Sequence, residues 1–236
     1  RVRKSVVGNF DEVLRQSDSV LPHVRSDHDI YGRDGDPGID QLTFTKVNKI
    51  MPSVYGKLTA GYLEKMFAGV SGEILWKPIS SSLGIGIELS QVQQRNFDML
   101  WGLRNYQVTT GHLSAYYFFK NGFMTQLDAG QYLAGDRGYT LRVGRKFGNG
   151  WHMGAYATVT NVPFAKFGEG SYDKGIFAEI PLDWSIGSPY RTTSKIEFNV
   201  MTRDGGAKLH TPYKLHKYLF NNDKNAIYHE AGRLWK

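Results

Sequence analysis

From Gln41 onward, apolar and polar residues alternate with a period of two almost throughout, the spacing at which successive side chains point to opposite faces of a β-strand. The pattern predicts ten strands: Gln41 to Ile50, Ser53 to Leu63, Gly69 to Lys77, Leu83 to Val92, Tyr106 to Phe119, Met124 to Leu133, Gly138 to Phe147, Trp151 to Thr160, Gly175 to Trp184 and Ser194 to Met201. No helical insert separates them. In the strand from Gly69, one face reads Val70, Gly72, Ile74, Trp76 and the other Ser71, Glu73, Leu75, Lys77. The strand from Trp151 sets Met153, Ala155, Ala157 and Val159 against His152, Gly154, Tyr156 and Thr158. One face is apolar and ends in an aromatic residue; the other carries charges and hydroxyls.

Ahead of the strands the period changes. Asn9 and Glu12 stand in capping-box spacing, and Phe10, Val13, Leu14 and Leu21 form a helical stripe that Pro22 ends. The segment "RSDHDIYGRDGDPGID" adds a further turn of helix and breaks at Gly35, Pro37 and Gly38. The strand connections also alternate in length. "MP", "KNG" and "GNG" fall at one end of the sheet, and the two longest connections, "QQRNFDMLWGLRN" and "NVPFAKFGEGSYDK", at the other. A membrane barrel has short turns on one side and longer loops on the other. With "RVRKSVVG" crossing first and "PYKLHKYLFN" last, the count becomes twelve, so the expected fold is an all-β, antiparallel transmembrane β-barrel of ten to twelve strands with a short N-terminal helical segment. Residues 1–40 are then the first strand and a helical outer loop or lumen plug, 41–220 the barrel, and 221–236 a basic tail.

Composition supports strands over helices: Gly is 27 of 236 residues and aromatics are 14%. No run approaches the ~18 apolar residues of a spanning helix, which excludes a helical membrane protein and leaves a barrel open. With no cysteine, there is neither a disulfide framework nor a Cys-based metal site. The net charge of +7 resides at the two ends, residues 1–4 and 203–236, and the body sums to zero. That distribution argues against a basic groove for nucleic acid and is read as solvated ends, with contact to anionic lipid or polysaccharide as the other reading.

Alternation alone does not say which face is outside, because a soluble ligand-binding barrel is the same pattern turned inside out. Tyr62, Trp76, Tyr132, Trp151 and Trp184 cluster near strand ends, as interfacial girdles do, and this favours a membrane. Arg145, on an apolar face with Leu141 and Val143, fits only if it lies near a strand end and snorkels. The polar faces then form a lumen network of Lys57, Glu73, Glu88, Asp128, Arg142, Glu179, Asp183, Lys195 and Glu197. Its near balance of sign fits a cross-linked interior better than an ion-selective pore.

The stretches "YGKLTAGYLEKMFAGVSGEILWKP", "QQRNFDMLWGLRNYQVTTGHLSAYY" and "DAGQYLAGDRGYTLRVGRKFGNGWHMGAYATVTNVPFAKFGEGSYDKGIFAEIPLD", followed by "RDGG", resemble the YjbH/GfcD family of outer-membrane proteins in length and order. Members are associated with exopolysaccharide and group 4 capsule production and export, and their chains are considerably longer. The resemblance implies a bacterial outer-membrane location and a place in exopolysaccharide or capsule production; taken with the strand pattern and the charge distribution, the expectation is a non-enzymatic component with outer-membrane lipid, polysaccharide and other secretion-system proteins as partners and no nucleic acid. It supplies no catalytic residues.

Two local features carry candidate chemistry. His112 and Ser114 are two apart and share a strand face, an arrangement that resembles the His-x-Ser of outer-membrane phospholipases and lipid A deacylases. A lipid-modifying hydrolase is therefore the alternative function, although catalysis also needs a group to orient the His, and a structural role is the expectation. In the loop "FAKFGEGSYDKG", Glu169, Asp173 and Lys174 surround glycines and could hold sugar hydroxyls, a cation or a partner protein. No metal or cofactor site is expected: EF-hand spacing is absent, and "GIGIE" is a strand with no helix after it.

Overall fold

A computed structural model describes residues 1–4, 19–148, 151–163, 172–181, 193–199 and 204–221; within 193–199 it describes backbone only. The predicted alternation becomes ten antiparallel strands: β3 (Leu42–Met51), β4 (Val54–Tyr62), β5 (Phe67–Trp76), β6 (Leu83–Arg95), β7 (Leu103–Phe118), β8 (Phe123–Gln131), β9 (Arg137–Lys146), β10 (His152–Thr160), β11 (Asp173–Pro181) and β12 (Thr193–Asn199). Each pairs only with its neighbours in sequence, so one sheet runs in the order β3 to β12 as an unbroken meander. The sheet is open. Its edges, β3 and β12, do not pair with each other, and among the described residues the sheet does not close into a barrel.

The two terminal strands expected to complete twelve are absent among the described residues. At the amino end only β1 (Val2–Arg3) forms, and it pairs with β2 (Gly38–Ile39) in a separate two-stranded sheet rather than crossing beside β3. At the carboxyl end "PYKLHKYLFN" is a helix, α2 (Leu215–Asn221), not a strand. Its apolar residues Leu215, Leu219 and Phe220 recur at helical spacing and dock on Leu75, Tyr116 and Phe118. The helical turn expected after Ser26 forms as α1 (His28–Asp34) and ends at Gly35. Most of the helical stripe proposed for 9–21 lies outside the described residues.

The sheet's faces are inverted relative to a soluble protein. Ile87, Leu113 and Ile176 are 54%, 57% and 60% exposed, along with Leu58, Val70, Ile74, Leu127, Leu141 and Val159. Thr59, Ser71, Ser90, Thr110 and Thr158 on the opposite face are buried. Arg145 lies one residue from the end of β9, between the rings of Phe123 and Phe147 at 5.2 Å each, where its charge can reach out past the strand. No helix among the described residues is long and apolar enough to cross a membrane.

The buried face is covered from the chain's own ends, by residues 19–40 and by a strap, residues 204–221. At the long-loop end, Val24, Tyr31, Leu63, Met66, Phe67, Val92, Met99 and Leu209 form the main apolar core. The Arg95 guanidinium is buried in its rim, donating to the carbonyls of Ile39 (2.8 Å), Met99 (2.7 Å) and Glu64 (3.2 Å) and stacking on Tyr62 at 4.1 Å.

Candidate functional site

Strand register turns the polar face into rows. Lys57, Glu73, Glu88 and His112 are opposite one another across β4 to β7. Two carboxylates facing each other would repel, but each has a cation. Lys57 Nζ lies 2.8 Å from Glu73 in a pair sealed from solvent, and Lys214 of the strap binds Glu88. The adjacent row, Thr45, Thr59, Ser71, Ser90 and Thr110, is a hydroxyl ladder in which Ser90 donates to Ser71 at 2.8 Å and Thr45 to Thr59 at 3.2 Å. Further along, Tyr132, Thr140 and Thr158 are linked at 2.7 and 2.9 Å. Hydroxyls can donate and accept at once, so the row links up internally and passes its remaining protons on, from Ser71 to Glu88 at 3.3 Å and from Thr110 to Gln131 O at 2.6 Å.

The strap supplies what the wall lacks. Lys208 binds Asp128, Lys214 binds Glu88, and Lys217 donates to Glu179 at 2.6 Å. Lys57 in turn donates to Pro212 O at 3.0 Å, and Glu73 accepts from the amide of Leu215 at 3.0 Å. Burial lowers the Lys208 ammonium below its ordinary value against the pull of Asp128, and burial drives the His216 imidazole well below its own. Where the strap begins, Asp204 accepts from the amides of Val24 (2.9 Å), Arg25 (2.8 Å) and Ser26 (3.0 Å) and from the Ser26 hydroxyl (2.8 Å). Arg25 reaches on as a fork to Glu64 at 2.8 and 3.0 Å and to Lys208 O at 2.6 Å. Gly206 turns with φ +72°, its amide donating to Asp136 at 2.8 Å while its α-carbon lies against Thr158, a place a side chain would not fit. Between strap and wall remains a cavity of about 750 Å³.

The structure brings together Lys57, Glu73, Glu88 and Asp128 from the expected lumen network, with Arg142 over the ring of Phe177 at 4.5 Å and Glu179 beside His152 at 3.3 Å. The backbone places Lys195 opposite Glu179 and Glu197 opposite Phe177. Asp183 and Glu169 lie outside the described residues. Asp173 and Lys174 open β11, with the Lys174 ammonium 4.7 Å from the Tyr172 ring. His112 and Ser114 do share the inner face, but Ser114 Oγ donates to Asp128 at 2.5 Å, the residue opposite it, and His112 packs edge-on against Tyr132 at 4.7 Å.

Three residues that bind the polar face escaped the sequence reading, Lys208, Lys214 and Lys217, because they belong to the basic end taken as solvated. The signal was the twice-written Lys-Leu-His at 208–210 and 214–216. In both copies the leucine is buried and the lysine binds a wall carboxylate.

An antiparallel meander with an exposed apolar face, a buried polar face and a strap bound across the polar face defines a mostly β protein whose charged and hydroxyl groups lie under its own chain ends. The chain belongs to the YjbH family, whose model, described as exopolysaccharide biosynthesis protein YbjH, matches residues 1–220. It is 36% identical over 222 residues, 92% of its length, to the uncharacterized lipoprotein YjbH of Escherichia coli (strain K12). The chain spans 32% of that relative. No solved structure matches it.

Proposed function

We propose that the chain forms a large part of an outer-membrane β-barrel wall that supports exopolysaccharide or capsule production and export without catalysing a reaction. The observation that carries the reading is the exposed apolar face: adjacent strands from β3 to β11 turn Leu, Ile, Val and aromatic residues outward, while threonines, serines and ion pairs are held inside. In water such a face is a liability; against acyl chains it is at its lowest free energy. The family's description supplies the pathway, and the relative's designation as a lipoprotein fits an envelope location. Barrel closure then requires β3 to meet β12, directly or through strands from elsewhere in a longer polypeptide. A non-enzymatic role is supported by Ser114, whose hydroxyl is committed to Asp128 rather than to His112.

The test uses cells producing the whole protein. Deletion is expected to lower polysaccharide at the cell surface, and the protein is expected to fractionate with outer membranes. A cysteine at Asp98, in a β6–β7 connection, is expected to react with an impermeant reagent on intact cells, whereas one at Asn121, in the β7–β8 turn, is not. A folded protein recovered in the soluble fraction without detergent would refute the membrane reading.

A further inference from the structure

We infer that the exposed face of the sheet binds the phosphate of an anionic lipid headgroup at its long-loop rim, on Arg137 and a row of amide and hydroxyl side chains leading to it. The inference rests on the reading of this face as lipid-facing and adds the headgroup it selects.

Charge on the sheet is sorted by face. From β3 to β11, among the described residues, register places the carboxylates Glu73, Glu88, Asp128, Asp173 and Glu179 on the buried side, opposite such residues as Ser114, Thr158 and His152. The exposed side carries charge of one sign. Lys46 lies on the edge strand β3 opposite Leu58, Arg137 and Lys174 stand at the long-loop ends of β9 and β11, and Arg145 is near the other end of β9. Cations at the rim of an apolar face draw it to anionic headgroups, and a carboxylate there would oppose them.

Position comes next. The apolar residues of the exposed side stop along one line: Leu89 on β6, Ala129 on β8 and Tyr139 on β9 give way, at the next position on the same face, to Gln91, Gln131 and Arg137. On β7, Leu113 and Gly111 give way to Thr109. Gln91 is opposite Thr109, and Gln131 is opposite Arg137. Tyr139, 64% exposed and next to Arg137 on the same face, is the kind of residue found where hydrocarbon meets headgroups.

The row is linked so that acceptors are used and donors remain. The Thr109 hydroxyl donates to Gln91 Oε1, Gln131 Nε2 donates to Thr109 O at 2.9 Å, and Arg137 Nε donates to Gln131 Oε1 at 3.0 Å. Among the described residues, the terminal guanidinium nitrogens of Arg137 and Nε2 of Gln91 have no partner. What is left over is a set of N–H groups beside a positive charge, and its complement is an anion rich in acceptors. A phosphate fits: a guanidinium fixed through Nε still offers two nitrogens to its oxygens, and hydroxyls of the same headgroup can meet the glutamines.

Native mass spectrometry of the full-length protein released from detergent micelles tests the proposal, with diphosphoryl lipid A as the probe in one arm and the same lipid stripped of its phosphates in the other. The phosphorylated lipid is expected to bind at least about tenfold more tightly. Arg137 is exposed and bonds only Gln131 and the neighbouring backbone and Asn161, so Arg137→Gln keeps the fold and is expected to weaken that binding about tenfold. Gln131→Glu, which leaves Arg137 in place but gives it a carboxylate partner, is expected to weaken it by a similar factor. Arg137→Lys is expected to recover part of the loss. The proposal is overturned if the two forms of the lipid bind alike, or if Arg137→Gln and Gln131→Glu hold the phosphorylated lipid as tightly as wild type. In either case fractionation with outer membranes leaves the membrane reading standing. Recovery of the wild-type protein folded in the soluble fraction without detergent removes both.

Discussion

Replacing Asp204 by Ala is expected to release the strap and the N-terminal segment together. The carboxylate is 99% buried by its 1% exposure, and it is the shared acceptor of three successive amides, Val24, Arg25 and Ser26, and of one hydroxyl. A hydrogen bond to a charged acceptor contributes about 1.5 to 3 kcal/mol, and an amide left buried without a partner costs about 1 to 3 kcal/mol. Val24 is fully buried, so its amide stays dry, whereas Arg25 and Ser26 are partly exposed and can recover water. The local loss is therefore about 3 to 4 kcal/mol rather than the full sum. At about 1.4 kcal/mol per factor of ten, amide hydrogen exchange in 22–28 and 204–211 should accelerate by about two to three orders of magnitude, with strands β5 to β8 little changed. Asp204→Asn keeps one acceptor oxygen for the three amides and is expected to cost only about 1 kcal/mol. If exchange in 22–28 stays within about threefold of wild type in the Ala variant, Asp204 is not the tie between the two segments and the magnitudes above are wrong.

Three further expectations concern the polar face. Lys57→Met strands Glu73 without its cation in a site closed to water and should destabilise by about 3 to 5 kcal/mol in denaturant unfolding; adding Glu73→Leu should recover most of that, less the bond to the Leu215 amide. Acidification should undock α2: the His216 imidazole is favoured neutral in the folded state by burial and by Lys214, Lys217 and Arg142, against Asp128. Its contribution is therefore full above the unfolded value of about 6.5 and falls as pH drops below it. Exchange protection in 215–221, corrected for the slower intrinsic exchange at lower pH, should fall between pH 7.5 and pH 5.5 (about two units), His216→Phe should flatten that response, and protection that rises at the lower pH would contradict the assignment. Ser114→Ala removes a hydroxyl bonded to Asp128 at a cost of about 0.5 to 1.5 kcal/mol and should leave surface polysaccharide and lipid composition unchanged; loss of a lipid product with the protein still assembled would favour the hydrolase.

The strands were legible because alternation is local: from Val70 to Trp76 each residue declares its own face, and all ten strands appear within a few residues of their expected ends. The strap was not legible for the opposite reason. "PYKLHKYLFN" has apolar residues that suit either period, and its helix is decided by contact with Leu75 and Tyr116, far away in sequence. Glu73, Glu88 and Asp128 lie on the polar face of their strands, but their partners depend on register and on chain returning from more than 70 residues away. Register also decides the partner of Ser114. Two-residue spacing put His112 and Ser114 on one face, but the strand alongside gave Ser114 to Asp128, which no motif in β7 could have announced.

The central claim is that the sheet's apolar face meets lipid and its polar face is internal. Nitroxide side chains introduced singly at Ile74, Ile87, Leu127 and Leu141, and at Ser71, Ser90 and Thr140, in the full-length protein in bilayers, test it by power saturation with oxygen and with a water-soluble nickel complex. The account expects the first set to be accessible to oxygen and shielded from nickel, with depth-dependent oxygen contact along each strand, and the second set to show no lipid exposure. Nickel access at Ile87 and Leu127 equal to that of a solvent-exposed loop, or oxygen contact at Ser90 matching that at Ile87, would contradict it.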